Sequence, residues 1–281
     1  GLVAGTIVFA ASGGLAEVLI SPVIAAIPSD RPESEMSKLH SVYAWGVVGV
    51  VFLSTGFLRL FGRENWKWLI LIWAVVPLIA SILFQKAKIP TLNTPAETSN
   101  VWKLATGKRF LVCFFCIFLG GASECTMSQW SSSFLEQALG IPKVWGDILG
   151  VAAFAVMLGL GRSLYAKFGR NIYKVLLAGA AGAVVCYLCA GIFNYAVVGL
   201  TACALTGLCT AMLWPGSLIV ASDRFPDGGV AVFALMAAGG DLGGSVGPQL
   251  VGIVTDAAMQ NDWVISLAES WQLSAEQLGM K

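Results

Sequence analysis

Apolar residues run along this chain in long stretches cut by short polar gaps. A helix that crosses a bilayer needs roughly 20 apolar residues. Eight stretches qualify, at about 1–27, 41–61, 66–84, 109–135, 144–168, 172–193, 195–221 and 229–257. Small residues recur at close spacing within them, as at Gly239, Gly243 and Gly247, a pattern that lets helices approach closely in lipid. Backbone groups inside a bilayer must pair among themselves, so runs of this length are helices. The pattern predicts an all-α integral membrane protein with eight spans.

The polar gaps give an orientation. If the gap at 28–40 is cytoplasmic, alternation puts 85–108, 167–174 and 222–228 on the same side. With their flanks, these four gaps hold twelve of the 17 Lys and Arg. The other side holds Arg59, Arg63, Lys67, Lys143 and Lys281. Cytoplasmic loops carry the excess of basic residues, so the even-numbered ends of this arrangement are expected outside, with Arg59, Arg63 and Lys67 an awkward cluster there. The longest gap, 85–108, contains Asn93, Pro95 and Asn100 and has no apolar periodicity. It reads as a linker between a three-helix part, 1–84, and a five-helix part, 109–281.

Composition agrees with this reading. Hydrophobic residues make up 57% and charged residues 12%, with a mean hydropathy of +0.79; a soluble domain is about 25% charged. The net charge of +1 supplies no field for nucleic acid. Seven cysteines lie mostly inside apolar runs. Cys113 with Cys116, and Cys186 with Cys189, have a metal-like spacing but no His beside them, so they are expected as small hydrophobes, with no metal and no cofactor. The chain starts Gly1-Leu2-Val3 without a basic segment ahead of its first apolar run, unlike a signal peptide. It is expected to be cut from a longer protein.

A repeat runs through the sequence. Gly14-Leu15, Pro22 and Ser29-Asp30-Arg31 return as Gly207-Leu208, Pro215 and Ser222-Asp223-Arg224, at one constant offset of 193 residues. The match pairs the first span with the seventh, together with its proline and its exit. Partners for the fourth to sixth spans would then precede Gly1, and a partner for the third would follow Lys281. Eight spans plus four gives twelve, arranged as six and six. A parallel pair of six-helix halves is the plan of major facilitator transporters.

Several stretches resemble that superfamily, and within it the fucose–proton symporter group. They are Glu17 with Pro22, Leu39-His40, Gly121-Ala122-Ser123-Glu124 with Trp130, Trp214-Pro215-Gly216 with Arg224-Phe225-Pro226, and Gly240-Asp241-Leu242-Gly243 with Gly247-Pro248. The resemblance covers the whole chain as the family's fourth to eleventh helices. The superfamily's basic loop motif departs in one place: Ala166 precedes Lys167-Phe168-Gly169-Arg170 where an acid is usual. A salt-bridged lock at this turn is therefore not expected.

Three carboxylates fall near mid-span: Glu17, Glu124 and Asp241. An ionised carboxylate at that depth costs on the order of 2.5–3.5 kcal/mol, so each should face a wet cavity or a partner. A carboxyl that can hold a proton there has the property proton coupling needs. With no Arg or Lys at mid-span, internal ion pairs are not expected. The resemblance implies that Glu17, Glu124, Gln129, Trp130 and Trp214 converge on a central cavity. There carboxylates and amides would bind hydroxyls, and aromatic faces would stack on a sugar. Packing or interfacial anchoring is the plain alternative for the two tryptophans. Pro22 and Pro215 are expected to kink their helices, and His40, the only histidine, to cap one.

The expected function is secondary active transport of a small polar organic solute, a sugar, by alternating access with proton coupling in the cell inner membrane. The expected partners are that solute, the lipid bilayer and protons, with the protein a monomer. Uncoupled or efflux transport of another solute is the alternative. A polytopic membrane enzyme would need a nucleophile with a base; Ser131-Ser132-Ser133 has no histidine at its depth.

Overall fold

The computed structural model describes residues 1–92, 98–270, 274 and 278. Among these, eight helices are long and apolar enough to cross a membrane, and there are no strands. They are α1 (Leu2–Ala26), α2 (Pro32–Phe61), α3 (Trp66–Lys86), α4 (Lys108–Gln137), α5 (Lys143–Phe168), α6 (Ile172–Ile192), α7 (Ala196–Arg224) and α8 (Gly229–Met259). Asn93 and Pro95 of the expected linker lie outside the described residues.

Three boundaries differ from the sequence reading. The gap expected at 28–40 shrinks, because α2 already starts at Pro32. Proline suits a first helical position, where its missing N–H has no intrahelical partner anyway. Glu33 and Glu35 then place negative charge in the positive first turn. His40 is consequently inside α2 rather than at its start, and does not cap it. The second difference lies in the linker, where Thr98–Ala105 forms a short helix; Val101, Leu104 and Ala105 supply the one apolar face it needs.

The third difference is in α7, which is two helices, Ala196–Thr210 and Leu213–Arg224, divided by a turn at Ala211–Met212. Pro215 follows three residues into the second half. It has no N–H to donate to the carbonyl four residues back, which is that of Ala211. Pro22, by contrast, sits inside an unbroken α1.

The packing follows the small residues. α4 and α8 lie against each other along most of their length, and α5 fits between α2 and the first half of α7. A β-carbon at Gly243 would fall on the carbonyl of Phe118, and one at Gly247 would meet Ala122. Two apolar clusters form the interior. One gathers Phe110, Ile117, Leu218 and Met236 toward the basic end, and the other Phe134, Leu135, Phe154 and Leu158 toward the opposite end. α3 buries none of its residues and turns its apolar surface outward, as a helix facing lipid does.

The basic end is strapped shut between α2 and α5. Arg31 donates to the carbonyls of Lys167 and Gly169 at 3.2 and 3.0 Å. Ser34 Oγ donates to Ala166 O at 2.6 Å, and Ser37 Oγ to Arg162 O at 2.7 Å. Tyr165 OH adds a bond to Glu33 Oε2 at 2.9 Å. The last carbonyls of a helix have no partner within it, and Arg31 supplies one at the end of α5. The turn that lacks the motif's acid is thus held by an arginine on main-chain oxygens.

Candidate functional site

A cavity of about 730 Å³ opens among α1, α2, α4, α7 and α8. Glu17 reaches it from α1, His40 and Tyr43 from α2, Glu124 from α4, Trp214 from α7 and Asp241 from α8. Arg162 enters from α5. Glu17 is half-buried and Asp241 exposed to the cavity, while Glu124 is 6% and Arg162 1% exposed.

Arg162 corrects the expectation that no internal ion pair exists. Its Nη2 donates to both oxygens of Glu124, at 2.9 and 2.8 Å. Its Nε donates to Ala211 O at 2.8 Å, the carbonyl that Pro215 leaves free, and Nη1 donates to His40 O at 3.0 Å. One guanidinium therefore ties α2, α4, α5 and the break in α7 together. Counted by sequence alone, Arg162 belongs to the basic flank of the turn after α5. In the fold its side chain turns inward to Glu124, the one buried acid among the described residues.

Glu17 and Asp241 make no ion pair with any described residue. The indole N–H of Trp214 is buried and turned toward Glu17 without closing a hydrogen bond. His40 Nε2 is likewise buried without a partner. Trp214 is fixed by the α4/α8 contact, because its ring lies where a β-carbon of Gly121 or Gly240 would stand. The cavity thus offers two uncommitted carboxylates, an aromatic face with a donor, and the Tyr43 ring, which stands 5.9 Å from the Arg162 guanidinium carbon.

Two residues expected here are elsewhere. Trp130 lines a separate cavity of about 190 Å³ among α4, α6 and α8, and its Nε1–H donates to Pro248 O at 3.1 Å. Gln129 is exposed on α4 and is not among the residues that line the central cavity. The structure brings together Glu17, Glu124, Trp214 and Asp241, and adds Arg162, His40 and Tyr43.

A model of the Major Facilitator Superfamily matches residues 1–248. No curated protein matches the chain. Among solved structures, the fold is similar to that of the E. coli fucose:proton symporter FucP, determined as a single-substitution variant. The TM-score is 0.67 at 15% identity, covering 94% of this chain and 70% of that one. At that identity the likeness concerns the fold, and the fold is the major facilitator one. The family match runs through seven spans and most of α8, so the chain belongs to the Major Facilitator Superfamily and is a multi-pass membrane transporter, not an enzyme.

Proposed function

We propose that this transporter carries a small polar organic solute, a sugar, in symport with protons across the cell inner membrane. It does so by alternating access, with 1–84 and 109–281 as parts of two opposed bundles joined by 85–108 and the protein acting as a monomer. The observation that carries this reading is the division of labour among the acids. Glu124 is neutralised by Arg162, whose Nη2 donates to both its oxygens, which leaves Glu17 as the half-buried carboxylate with no cation of its own. A carboxyl in that position can take and release a proton as the cavity changes sides. Asp241, more open, is the second such group. Trp214 supplies the aromatic face and an unspent N–H donor for a hydroxylated solute. The symporter of similar fold is named for fucose and protons, in line with this substrate class.

The test is Glu17→Gln in the intact protein in vesicles. Glutamine imitates the protonated acid permanently. Exchange of labelled sugar for unlabelled sugar should survive, because it needs no net proton movement. Uptake driven by a pH gradient should fall to the level seen without a gradient. Full gradient-driven accumulation by Glu17→Gln would refute Glu17 as the coupling group, and the absence of any gradient dependence in the parent would favour uncoupled or efflux transport.

A further inference from the structure

The strapped end of the protein carries another cavity, of about 680 Å³, that the transport reading does not use. Its walls are the short helix Thr98–Ala105, the start of α4 and the turn between α7 and α8. Lys103, Lys108, Arg109 and Arg224 all line it, against the single carboxylate of Asp227. None of the four basic side chains forms an ion pair with a described residue. Three other cations of the protein are paired: Arg162 with Glu124, Lys143 with Glu136 and Asp147, and Lys38 with Glu35. Like charges converging on one concave wall repel one another unless an anion offsets them.

Depth and polarity say which anion. Lys108 is the first residue of α4 and Arg224 the last of α7, so the cations stand where the hydrocarbon of the membrane ends. Beneath them the cavity is apolar, with Val101, Leu104, Phe110 and Phe225. Trp102, on the same short helix, is 76% exposed; tryptophan concentrates at the level of lipid headgroups. A free phosphate would use the cations and leave the apolar floor without a role.

We propose that this cavity binds the phosphate headgroup of an anionic phospholipid, with the glycerol and upper acyl carbons on the apolar floor. The inference is independent of what the central cavity transports. Short-chain phosphatidylglycerol and phosphatidylcholine would be titrated onto the purified protein in detergent, with bound lipid counted by native mass spectrometry. Phosphatidylglycerol should bind at least about tenfold more tightly. Lys103→Gln, Lys108→Gln and Arg109→Gln should each weaken it about fivefold, the equivalent of roughly 1 kcal/mol per cation near an anionic surface. These side chains are exposed, so all three variants should fold, and unfolding midpoints check this. Arg63→Gln and Lys67→Gln, at the opposite end, should leave the preference unchanged. Equal affinity for both lipids, or an equal loss from the opposite-end variants, would overturn the proposal. So would displacement of phosphatidylglycerol by glycerol 1-phosphate or inorganic phosphate, which would assign the cavity to a soluble anion.

Discussion

Arg162→Met should lower the stability of the folded protein by about 3–5 kcal/mol, the usual consequence of removing one partner from a buried ion pair. The loss comes from what stays behind. Glu124, 6% exposed, would keep a charge with no cation in reach. The carbonyls of Ala211 and His40 would lose the donors that now bond them at 2.8 and 3.0 Å. Ala211 suffers most, since Pro215 has no N–H to replace the missing bond. Thermal unfolding of the purified protein would read the change as a lowered midpoint. Arg162→Met combined with Glu124→Gln should recover a large part of the loss, because a neutral amide is far cheaper to bury than an orphaned carboxylate. A double variant no better than the single one would mean that Glu124 contributes nothing to the effect, and the ion pair would not be the reason.

The eight spans were legible because a bilayer demands an uninterrupted apolar run, and each run states its own helix. Position along the spans was harder to read than their number. The sequence assigns Arg162 to the turn because long cations near a span end normally reach outward to the interface. Gly159 and Gly161 just before it were the available sign of close packing around that cation: a β-carbon at Gly159 would press on Trp45, and one at Gly161 on Ala211 and Leu208. Start signals at Pro32-Glu33 were equally present, and would have placed His40 inside its helix. Trp130 and Gln129 stand apart from the central cavity for a geometric reason. At about 100° per residue, six residues place Trp130 roughly 240° around the helix from Glu124, and five place Gln129 roughly 140° around. Neither can share the face of that acid. The break in α7 has only Pro215 as a sequence mark, and Pro22 shows that the same mark inside a span need not break it.

Gly243→Leu should cost at least about 3 kcal/mol, beyond the usual range of 1–3 for an overpacked core. Overpacking is normally relieved by neighbouring side chains that shift, but here the nearest atoms belong to the main chain of Phe118. Relief would require α4 and α8 to separate, and Gly121 against Gly240 and Gly247 against Ala122 hold the same crossing closed. Separation would also free the Trp214 ring, so solute binding should weaken along with stability. Gly49→Ala provides the contrast, since nothing lies within 4 Å of the added atom, and its unfolding midpoint should stay near that of the parent. An unfolding midpoint for Gly243→Leu equal to that of Gly49→Ala would show that the α4/α8 crossing is not closely packed.

The strap between α2 and α5 has a further property. Arg31, Ser34 and Ser37 donate to carbonyl oxygens of Lys167, Gly169, Ala166 and Arg162, and every residue that could replace those four carries the same oxygen. Substitution on the accepting side therefore leaves these bonds available. Only the donors can be gained, lost or weakened by mutation. The strength of these four bonds is thus set by the residues that begin α2, and on the α5 side of the strap only the Tyr165 side chain, bonded to Glu33, can be changed by substitution.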